Sequence, residues 1–390
     1  MDIPEELIDL ILGHLGSSLD TLLNCTLVKR SWTHAARARL LHKLSFRFSS
    51  NHTFPNLTAL AKCISTDPSL AQHVSTLELR QTQPSVEIYT KTYTASEQHS
   101  LVVSLLAQMT CVRELRLVAI DWAALPETIS SAILELLSGH MISKLHFEFF
   151  KISSASELAR LISSPQSLQT LCLVQLYPLQ NSNDTVGVPV GRKNGATLQS
   201  LELGTILNFH ILDALFCTEN RLDFSALRKL CLSANYPPAL KSLMNVVGPS
   251  IEELFLSTKT LTEPSAPFDL SLASMPKLLR LELTDGITQE ALESLFGTLE
   301  SPHPLREIIV HKDDWVRHSL NAAQTYYLQP ALEELTRVEY RIMDHNDEGM
   351  RHVYEEAFAR LYERGIFFLV QEEPRAVWTQ WGLQRYAYVH

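Results

Sequence analysis

The sequence has no apolar run that approaches the ~20 residues needed to cross a bilayer. Its first ten residues carry four acidic side chains, where a signal peptide carries a basic flank. None of its six cysteines forms a C-x-x-C pair, and most of them lie among apolar neighbours. We therefore expect a soluble protein with free thiols in a reducing compartment, the cytoplasm or the nucleus.

Positive charge is also comparatively scarce. Thirty-three Lys and Arg residues stand against 43 Asp and Glu residues, which gives a formal net charge of -10 at pH 7. Proteins that bind a phosphate backbone usually carry clustered Lys and Arg. We therefore expect neither nucleic acid nor a membrane as a partner.

Signatures of catalysis are missing as well. The sequence has no G-K-[ST] phosphate loop, no G-x-S-x-G, no H-E-x-x-H and no dinucleotide-binding fingerprint. The segment "HKDDWVRH" (His311 to His318) has no metal-ligand spacing, and it favours a strand followed by a helix that Asp313 or Asp314 caps. We expect no enzymatic activity, no cofactor and no metal site.

What the sequence does contain is a repeat. The chain has 390 residues and is 45% hydrophobic, so it exceeds one ordinary compact domain. The pattern apolar-x-x-Leu-x-apolar, as in "VSTLEL" and "VRELRL", occurs eleven times at regular intervals, and we call it the template. Its central residue is Leu in nine cases, the exceptions being Ile308 and Val338, and successive central residues lie 24 to 38 positions apart. This spacing indicates one strand and one helix per repeat.

The intervals between these strands contain amphipathic segments, for example residues 100–109, 127–137, 155–162 and 289–296. The alternation of strand and helix resembles the leucine-rich repeat family over roughly residues 41–340. The resemblance implies an α/β fold, a leucine-rich repeat solenoid in which a curved parallel sheet carries helices on its outer side.

Side chains alternate along a strand, so the template apolar residues are expected in the core and the residues between them on an open concave surface. We predict that this surface binds a protein substrate. The candidate substrate-binding residues are Arg116, His146, Cys172, Val174, Glu202, Cys231, Phe255 and Glu282. Phe255 either contacts a ligand or is covered, like Ile309, by a loop or by the C-terminal segment.

Three short helical patterns precede the repeats, at Pro4 to Leu15, about Leu19 to Val28 and about Ser31 to Leu41. In the first pattern, apolar residues cover an arc of roughly 200°, about twice what a helix facing one core needs. The surplus is explained either by burial on several sides or by a partner that covers the remaining apolar face.

The order of these features resembles an F-box: "IPEEL", an apolar helix, then "LLNCTLVKRSW", in which Trp32 follows Val28 by four residues. Joined directly to leucine-rich repeats, it is similar to the fungal-type F-box proteins with degenerate leucine-rich repeats. The resemblance implies that Trp32 holds the third helix against the other two and that a Skp adaptor, and through it a cullin, binds here. The residues implied for Skp-facing and internal contacts are Ile3, Pro4, Ile8, Ile11, Leu12, Leu15, Leu22, Leu23, Leu27 and Val28. Which residues belong to which face is left open.

The predicted organisation is an F-box at residues 1–45, a repeat array at 46–340, and a capping helix, strand and tail at 341–390. The function that this organisation implies is a non-catalytic substrate-recognition adaptor of a Skp-cullin-F-box ubiquitin ligase. The alternative is a leucine-rich repeat scaffold without a role in ubiquitination. Substitutions Ile8→Asp and Leu12→Asp are predicted to abolish adaptor binding.

Overall fold

The computed structural model describes residues 5–14, 19–48, 55–81, 95–139, 141–178, 197–204, 222–233, 239–257, 270–284, 289–297, 299, 302–312, 323–342 and 348–371. They fall into two compact units, one within residues 1–198 and 206–223 and the other within residues 199–205 and 224–390. The predicted boundaries after residues 45 and 340 lie inside these units, and they stay predictions because a division into compact units does not test them.

The first unit begins with a helical bundle and continues as strand-and-helix repeats. The bundle consists of α1 (Glu5–His14), α2 (Leu19–Val28) and α3 (Arg30–Leu41). The other helices are α4 (Pro55–Thr66), α5 (Ala95–Gln108), α6 (Glu127–Ser138) and α7 (Ala155–Ser163), with 3-10 turns at Pro68–His73 and Trp122–Ala124. The strands are β1 (Lys43–Phe48), β2 (Thr76–Gln81), β3 (Glu114–Val118), β4 (Lys144–Glu148), β5 (Lys151–Ile152), β6 (Thr170–Val174) and β7 (Tyr177–Pro178).

Strands β1, β2, β3, β4 and β6 pair in that order, and all the pairs are parallel. The register aligns the central template residue of each strand with that of the next, in the series Leu44, Leu77, Leu115, Leu145 and Leu171. The last four of these leucines are fully buried. Each strand therefore places the same apolar position in the core, as expected for stacked repeats.

The second unit repeats this arrangement. Its strands are β8 (Ser200–Leu203), β9 (Lys229–Ser233), β10 (Glu253–Ser257), β11 (Arg280–Thr284), β12 (Glu307–Lys312), β13 (Arg337–Ile342) and β14 (Phe367–Gln371). Its helices are α8 (Ala239–Val247), α9 (Gln289–Phe296), α10 (Glu348–Ala357) and α11 (Ala359–Glu363), with 3-10 turns at Gly248–Ser250, Leu272–Ser274 and Pro330–Leu332. Residues 323–327 form a further helical turn.

Strands β8 to β14 also pair in parallel and in chain order. The aligned central residues are Leu201, Leu230, Leu254, Leu281, Ile308, Val338 and Phe367. The α/β repeat fold with a parallel strand in every repeat is thus confirmed. Strand β14 was predicted as a strand but not as a repeat, because Arg364 occupies the first apolar position of its template.

The helix bounds agree with the prediction to within about two residues at most sites, and α9 has the predicted bounds. The prediction of one capping helix within residues 341–390 is wrong in one respect, because the structure has two helices there. Phe358 leaves the helical conformation (φ -116°, ψ 24°) and separates α10 from α11. Its ring is fully buried, with its centroid 4.7 Å from that of Tyr340 and 4.9 Å from that of Phe367. We infer that packing the Phe358 ring into the core is more favourable than continuing the helix through this residue.

Successive repeats of the first unit share a backbone feature that the sequence does not signal. Ala119, Phe149 and Gln175 directly follow β3, β4 and β6, and all three have φ between 52° and 54°. This left-handed conformation costs a non-glycine residue about 1 kcal/mol or more. The amide of Ala119 donates to the carbonyl oxygen of Glu148 at 2.8 Å, and that of Phe149 to Val174 at 3.1 Å. These bonds continue the sheet pairing past the strand ends.

A matched pair of truncations tests the core. Leu145→Ala removes a fully buried side chain of β4, whereas Leu27→Ala truncates a side chain that is 83% exposed on α2. We expect the first variant to lose about 2–5 kcal/mol of unfolding free energy and the second less than about 0.5 kcal/mol. Urea denaturation measures both values. Equal losses would contradict the assignment of the template leucines to the core.

Candidate functional site

Helix α1 has two apolar faces. Ile8 and Leu12 are fully buried in a small core that belongs to the bundle itself. The other members of this core are Leu22, Cys25, Ala35 and Ala36, with Trp32 and Leu40 packed against it. The bundle therefore has its own hydrophobic core, and Trp32 on α3 contributes to it.

The second face of α1 is solvent-exposed. Leu7, Leu10 and Ile11 are 50%, 60% and 37% exposed. At about 100° per residue, this stripe lies roughly 130° around the helix from Ile8 and Leu12. The broad apolar arc of the sequence thus divides into an internal face and a face that no described residue of this chain covers.

Helix α2 shows the same division. Leu22 is buried, whereas Leu23, Leu27 and Val28 are 47%, 83% and 64% exposed. Leu23 and Leu27 are four residues apart and lie on one face. We call the exposed residues of α1 and α2 the apolar stripes: Leu7, Leu10, Ile11, Leu23, Leu27 and Val28.

The predicted adaptor-binding residues therefore have different environments. Ile8, Leu12 and Leu22 are internal; Ile11, Leu23, Leu27 and Val28 are exposed; Ile3, Pro4 and Leu15 lie outside the described residues. The prediction omitted Leu7 and Leu10, which the i, i+3, i+4 spacing with Ile11 indicates. Substitutions Ile8→Asp and Leu12→Asp are unsuitable as interface tests, because each would bury a carboxylate in the bundle core.

Helix α3 connects the bundle to the first repeat. The Arg37 guanidinium lies 3.9 Å from the Asp67 carboxylate, and the ring centroids of His34 and His73 are 5.0 Å apart. Burial, followed by the charges of His34 and Arg37, lowers the pKa of His73 despite the opposing charge of Asp67. The bundle thus packs on the repeats through α3 and leaves the apolar stripes of α1 and α2 exposed.

The second candidate surface is formed by alternate side chains of the strands. In the first unit we call it the polar face, which consists of these residues of β1–β4: Lys43, Ser45, Arg47, Thr76, Glu78, Arg80, Glu114, Arg116, Val118, Lys144, His146 and Glu148. Ion pairs link neighbouring strands across it. Glu78 lies 3.3 Å from Arg80 and 4.0 Å from Arg116, and it accepts a 3.0 Å hydrogen bond from Ser45 Oγ. The Arg116 Nε also lies 3.1 Å from Glu114.

Two titratable groups of the polar face have shifted pKa values. Burial, followed by the charges of Arg116 and Lys144, lowers the pKa of His146 to about 3. Its Nε2 atom lies 3.6 Å from Glu114, so this contact involves a neutral ring at pH 7. Burial raises the pKa of Glu148, although the charges of Arg116 and Arg80 oppose that shift.

In the second unit, the corresponding face centres on Glu282. The Nε2 of His311 lies 2.7 Å from Glu282 Oε1, and both side chains are only 2% exposed. Arg280 donates to the other carboxylate oxygen at 3.1 Å. Burial alone would raise the pKa of Glu282, but the hydrogen bond and charge of His311, with Arg280 and Arg341, outweigh it and lower that pKa. An ionised carboxylate only accepts hydrogen bonds, so His311 Nε2 carries the proton.

Glu339 is the next acidic residue of this face. Its carboxylate accepts from Arg337 on one oxygen and from Arg341 on the other. These two arginines overcome the effect of burial and lower the pKa of Glu339. Both buried acids of the face are thus ionised and matched by cationic or hydrogen-bonding partners.

The expectation of an open surface is wrong for the middle of the predicted site. Cys172, Cys231, Phe255 and Glu282 are 4%, 2%, 4% and 2% exposed, and Ile309 is also buried. Parallel strands lie about 4.8 Å apart, so aligned side chains pack against one another instead of standing free in solvent. The remaining candidates, Arg116, His146, Val174 and Glu202, are half-buried.

The eight predicted substrate-binding residues are split between the units. Arg116, His146, Cys172 and Val174 belong to the first unit, and Glu202, Cys231, Phe255 and Glu282 to the second. Burial and the charges of Glu202 and Glu282 raise the pKa of Cys231 well above its usual range, so its thiol is protonated and a poor nucleophile. The prediction missed Glu114, Arg280 and Arg337, which precede the central template residue. Strand alternation places that column on the same face, so the signal was present in the sequence.

Within the described ranges, no group of three His, Cys, Asp or Glu side chains has the arrangement of a metal site. Among the described helices, none has the length and apolarity to span a membrane. Five of the cysteines, Cys25, Cys63, Cys111, Cys172 and Cys231, are free thiols.

Similarity to known proteins is found among solved structures. No family model matches the sequence, and no curated protein matches it. Among solved structures, the leucine-rich repeat-containing protein LegL7 from Legionella pneumophila is similar at 15% identity and a TM-score of 0.41. The alignment covers 81% of this chain and 90% of LegL7.

The environment of His146 predicts an acid-dependent loss of stability. In the unfolded chain the His146 ring binds a proton near pH 6.5, whereas in the folded chain it does so only near pH 3. The stability that the folded chain gains from burying the neutral ring is therefore complete above pH 6.5 and is lost as the pH falls towards 3. Between pH 7 and pH 5, we expect the native chain to lose about 2 kcal/mol more unfolding free energy than His146→Gln. Urea denaturation at both pH values measures this. His352→Gln, at a side chain that is 87% exposed, is the control and should behave like the native chain.

The Glu282–His311 pair predicts strong energetic coupling. Either Glu282→Leu or His311→Leu leaves a buried polar partner, and we expect each to cost about 3–5 kcal/mol of unfolding free energy. The double variant should cost about 1–3 kcal/mol less than the sum. The exposed Arg228–Glu252 pair, 3.7 Å apart, is the matched control, for which we expect a coupling below about 1 kcal/mol. Equal coupling free energies in the two double-mutant cycles would refute the expectation that the buried pair is the more strongly coupled one.

Proposed function

We propose that this chain is a non-catalytic adaptor of a Skp-cullin-F-box ubiquitin ligase. In this proposal the N-terminal bundle binds a Skp adaptor, and through it a cullin, in the cytoplasm or the nucleus. The observation that supports it is the exposure of the apolar stripes on a bundle that already has its own core. The bundle has its own core without these residues, so the exposed stripes are best explained as a surface that a partner protein covers.

The size of the apolar stripes suits stable attachment. Covering four of the six side chains in the apolar stripes, at about 1.5–3 kcal/mol each, contributes about 6–12 kcal/mol before the costs of association. The packing of α3 on Pro68–His73 supports a stiff connection from this interface to the repeats.

The repeats form the scaffold that holds a protein substrate. The mechanism is proximity: one surface binds the ligase and another binds the substrate, which raises the local concentration of substrate near the conjugating enzyme. The chemistry is carried out by other subunits. Specificity in this proposal comes from the charged and half-buried side chains of the strand faces.

A leucine-rich repeat scaffold without a role in ubiquitination is the second candidate. It shares the fold, and its apolar stripes would be covered by a protein other than a Skp adaptor. The identity of the partner that binds α1 and α2 separates the two functions.

Size-exclusion chromatography of the full chain with a purified Skp adaptor tests the proposal. We expect co-elution of the two proteins. The variant Leu23→Asp/Leu27→Asp places two carboxylates in the α2 stripe, and the loss of about 3 kcal/mol of apolar burial should weaken binding by at least about 100-fold.

Val246→Asp on α8 is the matched control, since Val246 is 64% exposed and lies in the second unit. It should bind like the native chain. Separate elution of the native chain and the adaptor would exclude the ligase role and favour the scaffold. Full binding by the double aspartate variant would show that α2 is not the interface.

A further inference from the structure

The polar face of the first unit is cationic although the whole chain is acidic. It has five cationic residues, Lys43, Arg47, Arg80, Arg116 and Lys144, against three acidic ones, Glu78, Glu114 and Glu148. The chain as a whole carries a net charge of -10. His146 is neutral at pH 7 because its pKa is about 3, so it does not add to this charge.

Three of the five cations lie outside the ion pairs of the polar face. Arg80 and Arg116 contact Glu78, and Arg116 also contacts Glu114. Lys43, Arg47 and Lys144 are exposed, and within the described part of the chain no carboxylate lies at ion-pair distance from any of them. These three cations are therefore available to an anionic partner.

The register fixes how far apart these cations lie. Lys43 pairs with Thr76, Thr76 with Glu114 and Glu114 with Lys144, so Lys43 and Lys144 occupy the same position on strands β1 and β4. Three strand spacings of about 4.8 Å separate their backbones by roughly 14 Å. An extended peptide advances about 3.4 Å per residue and covers this distance in about four residues.

We propose that the polar face binds an extended acidic segment of a partner protein, which crosses β1–β4 with carboxylates about four residues apart. One cluster of carboxylates pairs with Lys43 and Arg47, and the other pairs with Lys144. As a description of the substrate, this inference rests on the proposed adaptor function; as a description of a binding surface, it requires only the first unit.

The distribution of charge favours such a peptide over a nucleic acid. Glu78 and Glu114 lie between the β1 and β4 cations on the same face. A nucleic acid carries a phosphate at every nucleotide and would bring negative charge close to these carboxylates. A peptide with neutral residues between its acidic ends avoids this repulsion.

Fluorescence polarisation with the full chain tests the proposal. The probe is a labelled peptide, Gly-Glu-Glu-Ser-Ser-Glu-Glu-Gly, and its control is Gly-Ser-Glu-Glu-Glu-Glu-Ser-Gly, which has the same composition without the spacing. We expect the spaced peptide to bind more tightly than the control. Raising the salt from about 0.05 M to about 0.3 M should weaken its binding, because exposed ion pairs are screened.

Charge reversal locates the surface. Arg47→Glu and Lys144→Glu should each weaken binding of the spaced peptide by about tenfold. Lys277→Glu, at an exposed cation of the second unit, should leave it unchanged within about twofold. Thermal unfolding checks that the variants fold, and Arg47→Gln and Lys144→Gln replace any that do not.

Several outcomes would overturn the inference. They are the absence of binding by the spaced peptide, equal binding of both peptides, equal effects of all three reversals, and tighter binding of an oligothymidylate or of phosphatidylserine vesicles. Because no Skp adaptor is present in this assay, failure here and failure of adaptor binding are separate results.

Discussion

In-register parallel pairing is the constraint on which the rest of this molecule depends. Each strand of the main series aligns its central template residue with that of its neighbour, from Leu44 to Leu171 in the first unit and from Leu201 to Phe367 in the second. A strand and a helix alone cannot bury both of their apolar faces, whereas a stack of them can. A shift by one residue would place every template leucine on the polar side, so the register is strongly specified.

The same constraint organises the polar side chains. Aligned strands bring equivalent positions of successive repeats to within about 4.8 Å, so a charge on one strand is felt by both neighbours. Glu78 lies between the side chains of Ser45 and Arg116, and Glu282 contacts His311 of the next strand. In the second unit the buried acids are matched locally. In the first unit, Lys43 and Arg47 on β1 and Lys144 on β4 lie outside the ion pairs of the described residues. This difference distinguishes the two faces chemically.

The helical bundle buries apolar residues in a core of its own, separate from that of the repeats. Ile8 and Leu12 complete a core within the bundle, while Leu10 and Leu27 remain largely exposed. The sequence predicted the three helices and the surplus of apolar residues, because both depend on local periodicity. It did not decide which leucines face inward, since residues on either face of α1 are equally apolar and only the packing of α2 and α3 distinguishes them.

The sequence by itself determined the repeat, the bounds of most helices and the alternation of strand faces, because these follow from short-range spacing and backbone geometry. Only the tertiary structure decided the burial of Phe255 and Cys231, the break at Phe358 and the left-handed residues after β3, β4 and β6. Each of these depends on residues 9 to 29 positions away along the chain, on the neighbouring strand or in the aromatic core. Local pattern therefore carries no signal for them.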